Sequence, residues 1–219
     1  MSLATESHFL ATIRTIDPHI DNSVVENMAA NLQTRYSEPQ RAYHTIEHVS
    51  FMLSALKTES TPPRGIIELA IWFHDCVYSP IKGSPWNEHE SIHVWEEFVA
   101  ETKSDEMIKL RAAVTSLIEA TIDHAIPSSL PSPLETADVA LLLDLDMSIL
   151  GQPPSDYDRY AQGVRTEYAH YPDEEYRVGR TKVLQTFLAR GKIFIGDGKE
   201  ELETRARMNI QSEINRLKV

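Results

Sequence analysis

Leu69-Ala70-Ile71-Trp72-Phe73-His74-Asp75 is the stretch on which the fold turns. Five apolar residues run without a break into a histidine and an aspartate. An apolar run of this kind belongs in a core. A His-Asp doublet at its end places two metal-binding side chains beside that core. The run predicts a helix from Ile66 to about Asp75. Neighbouring residues on a helix point apart, so His74 and Asp75 can reach one ion only at a helix end or bend. Ser79-Pro80-Ile81-Lys82-Gly83-Ser84-Pro85 reads as a loop directly after the doublet and supplies that end.

Outward from this stretch the pattern stays helical. Val24, Val25, Met28, Ala29 and Leu32 recur near a 3.6-residue period, which predicts a helix over 22–36 capped by Asp21 or Asn22. Pro39 stands near the expected start of a third helix holding His44, His48, Phe51, Met52 and Ala55. Thr61-Pro62-Pro63-Arg64-Gly65 reads as a linker. Further helices are expected over about 88–101, 105–123, 135–150, 155–169, 173–190 and 199–217. Pro127 to Pro133 separates two of them, and Gly151 with Pro153 and Pro154 ends another. Gly191 fits a helix stop and Gly196-Asp197-Gly198 a turn. Lys192 to Ile195 is the one short β-like run. The expected class is all-α: one helical domain over 1–219, with a metal core over about 40–150 and C-terminal helices over about 155–217.

The 219 residues suffice for one sizeable core, and 42% apolar with 25% charged is ordinary for a globular chain. A formal net charge of -12 repels nucleic-acid backbones and anionic lipids. No polymeric nucleic acid and no membrane is therefore expected as a partner. A small anionic substrate stays compatible, because a bound cation inverts the local charge. No secretory signal pattern stands at the N-terminus, and Cys76 is the single cysteine. Both point to a cytoplasmic protein. Oligomeric state is not legible.

The metal reading rests on an ordered series. Tyr43-His44-Thr45-Ile46-Glu47-His48 lies upstream of the doublet and Leu143-Asp144-Leu145-Asp146 downstream. His44 and His48, four apart, share a face if both are helical. Asp144 and Asp146, two apart, point in different directions, so only one is expected to coordinate. Mixed imidazole and carboxylate ligands suit Mn, Fe, Zn, Co or Ni, with Mg at a second site, rather than Ca.

These motifs resemble the HD-domain superfamily, and within it the group described as predicted metal-dependent phosphohydrolases. The resemblance runs through Tyr43-His44 with His48, Ala70 to Asp75 with Tyr78, and Asn87-Glu88 with Ser91. It continues through Asp144-Leu145-Asp146 with Ile149-Leu150-Gly151, then Gly179-Arg180 with Phe187-Leu188 and Arg190. It implies a helical bundle and a divalent transition metal held by His48, His74, Asp75 and Asp146. The first motif also resembles the Tyr-His-Asn-x-x-His segment of cyclic-nucleotide phosphodiesterases, which implies that His44 is a general acid. Thr45 stands where that segment has Asn.

The reaction implied is hydrolysis of a small phosphoester, such as a nucleotide, by metal-activated water. Glu88 is the candidate proton acceptor, and His124 the candidate ligand for a second metal. Arg180, Arg165 and Lys82 are candidates for holding phosphate oxygens. His89 and His93 read as surface residues, and Cys76 as packed core. Two other functions fit the same ligand types. One is a di-iron oxygenase of the same fold, favoured if His124 ligates. The other is a non-catalytic helical metal-binding module.

Overall fold

Helix α4 (Gly65–Phe73) explains the arrangement of the N-terminal half. Ile66, Ile67, Leu69, Ala70, Ile71, Trp72 and Phe73 are all buried. A helix that is apolar all round must be enclosed by other helices. Here α1 (Glu6–Ile16), α3 (Ile46–Leu56), α5 (Trp86–Thr102) and α6 (Asp105–Asp123) pack against it. Helix α2 (Asn22–Tyr36) packs on α1 and α5. Aromatic rings lock the C-terminal end of α4. Phe73 lies 5.2 Å from Trp95 and 5.7 Å from Phe98, and Trp72 lies edge-on to Phe9 at 5.3 Å, all between ring centroids. Such pairs add about 0.5–1.5 kcal/mol each beyond burial. Truncating Phe73 to alanine would cost roughly 3–5 kcal/mol.

This computed structural model describes residues 3–59 and 65–218. They form ten α-helices and one 3-10 turn, with no strand among the described residues, so the chain is all-α. None of these helices is long and apolar enough to cross a membrane. The chain divides into two compact units, 1–142 and 143–219. The division falls within α7 (Thr136–Met147).

The second unit contains a 3-10 turn (Ser148–Gly151), α8 (Pro154–Glu167), α9 (Asp173–Ala189) and α10 (Glu200–Leu217). Leu150, Tyr157, Leu184, Phe194, Ile210 and Ile214 form its core. The 3-10 turn lies so close to α10 that a Cβ on Gly151 would meet the Leu202 backbone oxygen at 2.6 Å. Only glycine fits that approach.

Several helices begin and end where the sequence places them, and Asp21 caps α2 by accepting from the Ser23 N–H. Three details differ. Helix α3 starts at Ile46 instead of near Pro39, because Thr45 caps it and accepts from the Glu47 N–H. Helix α1 lies outside the predicted helices and is capped by Thr5. Lys192 to Ile195 is no strand. Its backbone N–H groups go instead to carboxylates: Ile193 and Phe194 to Glu203, and Ile195 to Asp144. Thr61 to Arg64 of the expected linker lie outside the described residues, while Gly65 is the first residue of α4.

Candidate metal centre

The doublet sits at the end of α4, as the adjacency of its two residues requires. The His74 N–H still donates to Ala70 O, and the Cys76 N–H then donates to Phe73 O, closing a tighter turn. This bend brings the His74 and Asp75 side chains to the same side. The Nε2 of His74 lies 3.1 Å from Asp75 Oδ2. His48 comes from the first turn of α3, which its cap at Thr45 aims at the end of α4. His48 Nε2 lies 3.3 Å from His74 Nε2 and 3.9 Å from Asp75 Oδ2. Both imidazoles are almost wholly buried, whereas the Asp75 side chain is 17% exposed.

The outer ring nitrogens set what the inner ones present. His74 Nδ1 is 3.0 Å from Ile71 O. A carbonyl oxygen only accepts, so Nδ1 carries the proton, and in the neutral ring Nε2 presents a lone pair. His48 Nδ1 lies 3.1 Å from Tyr43 Oη, which holds that ring from behind. His74 Nε2 therefore faces a carboxylate oxygen and a second imidazole nitrogen inside a buried site. One cation placed among the three answers all of them at once. The two separations from His74 Nε2 agree with that, since ligands about 2.05 Å from a tetrahedral ion lie about 3.3 Å apart and cis ligands of an octahedral ion about 3.0 Å, while His48 Nε2 and Asp75 Oδ2 stand wider at 3.9 Å. Nitrogen and carboxylate donors with second nitrogens fixed behind them are a normal transition-metal ligand set. These residues fit a divalent ion.

His44 is not on α3. It precedes the cap, so the shared helical face expected for His44 and His48 does not exist. The two rings nonetheless stay near each other, 6.0 Å between centroids, and His44 stacks on Tyr78 at 4.3 Å. Glu88 lies in the first turn of α5, and its Oε2 is buried with no hydrogen-bond partner among the described residues. Its neighbours hold the loop that follows the doublet: Asn87 accepts from the Ser79 N–H and Ser91 from the Val77 N–H.

No family model matches this chain, nor does any curated protein or solved structure.

The remaining candidates fall in other surroundings. Asp144 is buried and accepts from the N–H groups of Ile195 and Gly196 at 2.7 and 2.8 Å. Those two bonds give it a structural task, while Asp146 is half-buried near the end of α7. Arg180 is buried in the second unit, where its guanidinium donates to both carboxylate oxygens of Glu213 at 2.8 and 3.2 Å. Tyr157 donates to the same carboxylate. Burial opposes the charge on Arg180, but Tyr160 and Glu213 outweigh it and hold the group ionised. The expected role of Arg180 on phosphate therefore has no support. Arg165 donates to Asp173 Oδ1 and to the carbonyls of Tyr168 and Tyr171. Lys82 Nζ sits 3.9 Å over the Trp86 ring. His124 is the C-cap of α6 with φ 48. Cys76 is core: burial pushes its thiol up to about 12, so it stays protonated.

One residue beside the centre escaped the sequence reading. Arg41 is buried, and its Nη1 donates to both His44 O and Asp75 O at 2.8 Å, while Nη2 donates to Cys76 O at 3.0 Å. The carbonyls at the end of a buried helix need donors from outside it, and that demand was the available signal. Spacing does not say which residue meets it.

Proposed function

We propose that this chain is a metal-dependent phosphohydrolase of the HD superfamily, acting on a small phosphoester. The observation that supports it is the meeting of His48 Nε2, His74 Nε2 and Asp75 Oδ2 with the second nitrogen of each imidazole engaged from behind. The family resemblance adds Asp146 to the ligands, and its carboxylate is of the type a divalent transition ion takes. Such an ion, when bound, supplies Lewis-acid activation of water and neutralises charge on a phosphoryl oxygen.

The chain's own groups do the rest. Glu88, whose buried Oε2 has no hydrogen-bond partner among the described residues, takes the proton that water loses as its oxygen forms the bond to phosphorus. His44, protonated, delivers a proton to the ester oxygen as the phosphorus–oxygen bond breaks. The Tyr78 ring against His44 fixes the plane in which that proton is presented.

Protein purified without chelator, given Mn2+ and tested on p-nitrophenyl phosphate, bis-p-nitrophenyl phosphate and a panel of nucleotides, should release product. EDTA and His74→Ala should abolish release. His44→Ala should lower turnover by roughly 10²–10⁴-fold, the usual worth of a general acid. Metal bound at stoichiometry with no hydrolysis of any ester would reject the phosphohydrolase reading and leave a metal-binding module.

A further inference from the structure

We infer that Arg41 is the positioning residue of the metal centre, a clamp that sets the separation between the His44–His48 segment and the doublet. The inference rests on the metal reading above. A single nitrogen, Nη1, donates to His44 O and to Asp75 O, each at 2.8 Å. The backbone next to the assigned acid and the backbone of an assigned ligand are thus tied to one atom. Nη2 extends the grip to Cys76 O. The guanidinium lies against two rings, 5.0 Å from the Tyr36 centroid and 5.4 Å from that of Tyr78. Tyr78 also stacks on His44, so one ring touches both the clamp and the acid.

The loop after the doublet is gripped from both sides. Gln40 donates to Tyr78 O, while Ser91 and Asn87 on α5 accept from Val77 and Ser79. Backbone groups at 75, 76, 77, 78 and 79 therefore all have side-chain partners. Arg41 also reaches the histidine segment, at the His44 carbonyl. Its planar fork allows three carbonyl bonds and ring stacking together. A lysine carries the charge but has neither the fork nor the flat face.

The test is Arg41→Lys, with Glu38→Gln as its control. Glu38 accepts from Arg41 Nε at 3.2 Å but touches neither the doublet nor His44 in that contact. Mn2+ and Zn2+ dissociation constants would be measured by titration calorimetry on metal-free protein. Circular dichroism would follow folding, and the Mn2+ paramagnetic resonance spectrum would report ligand geometry. Arg41→Lys should fold, bind both ions about 10–100-fold more weakly, as loss of a ligand-orienting partner does, and change the Mn2+ spectrum. Glu38→Gln should match wild type in both. If Arg41→Lys does not fold, Tyr78→Leu decides, since it removes one ring of the sandwich and leaves the guanidinium in place. Tyr78→Leu should weaken both ions and change the spectrum. A folded Arg41→Lys, or in its stead Tyr78→Leu, with wild-type constants and spectrum overturns the clamp alone. Failure of the wild type to bind either ion overturns the metal reading and the clamp with it.

Discussion

Each unit of this protein buries a polar cluster, and the two clusters differ in what their atoms face. In the second unit, Arg180, Glu213 and Tyr157 satisfy one another: a guanidinium fork and a phenol O–H meet both oxygens of one carboxylate. Donors meet acceptors, and opposite charges meet. In the first unit, two imidazole nitrogens and a carboxylate oxygen converge, held in place from behind. A closed cluster serves the fold. A convergent set of imidazole and carboxylate groups is of the kind that holds a cation, and on it the proposed metal reading rests.

That contrast breaks most visibly if its structural half is removed. Arg180→Ala strands the Glu213 carboxylate in the core and should cost about 3–5 kcal/mol in a urea unfolding curve, with metal stoichiometry unchanged in the folded protein. A loss below about 1 kcal/mol would mean that the pair is not the closed cluster described. The two aspartates of α7 sharpen the contrast at one helix end. Asp144→Ala removes the acceptor of two backbone N–H groups and should cost about 1–3 kcal/mol while metal binding persists. Asp146→Ala should do the reverse, weakening metal binding while the metal-free protein unfolds as wild type does. If the two phenotypes came out exchanged, Asp144 would be the ligand.

The smallest effect belongs to the surface. The Arg165 guanidinium hydrogen-bonded to Asp173, with its charge, holds that carboxyl below its ordinary value of 3.8. A lowered folded-state pKa contributes stability above the unfolded value and loses it as pH falls through the folded one. Asp173→Asn should therefore be slightly less stable than wild type at neutral pH, the gap closing as the medium is taken below pH 3.8. The pair is exposed, so this gap should be far smaller than either buried effect, and added salt should shrink it.

Much of this was legible from residue order. The buried apolar end of α4 and the need for a bend after Phe73 follow from the run Leu69 to Asp75, and the structure contains both. The proximity of His48 to His74, separated by 26 residues in sequence, was an expectation of pattern and is a distance here. What residue order hid depends on groups whose partners lie far along the chain. The cap at Thr45 took His44 off the helix, since a threonine there serves a helix start as readily as an interior. Nothing local reveals Glu213, 33 positions away, as the partner of Arg180. Arg41 bonds to backbone carbonyls, and a carbonyl leaves no trace in a sequence.

The most direct test of the central claim is metal content by elemental mass spectrometry. Wild type would be purified without chelator or metal-affinity steps beside His48→Ala and His74→Ala, each checked for folding by circular dichroism. The account predicts at least one transition ion per wild-type chain, retained through gel filtration and lost from both folded variants. A wild type that carries no ion and takes up none on incubation with Mn2+, Fe2+ or Zn2+ would contradict it.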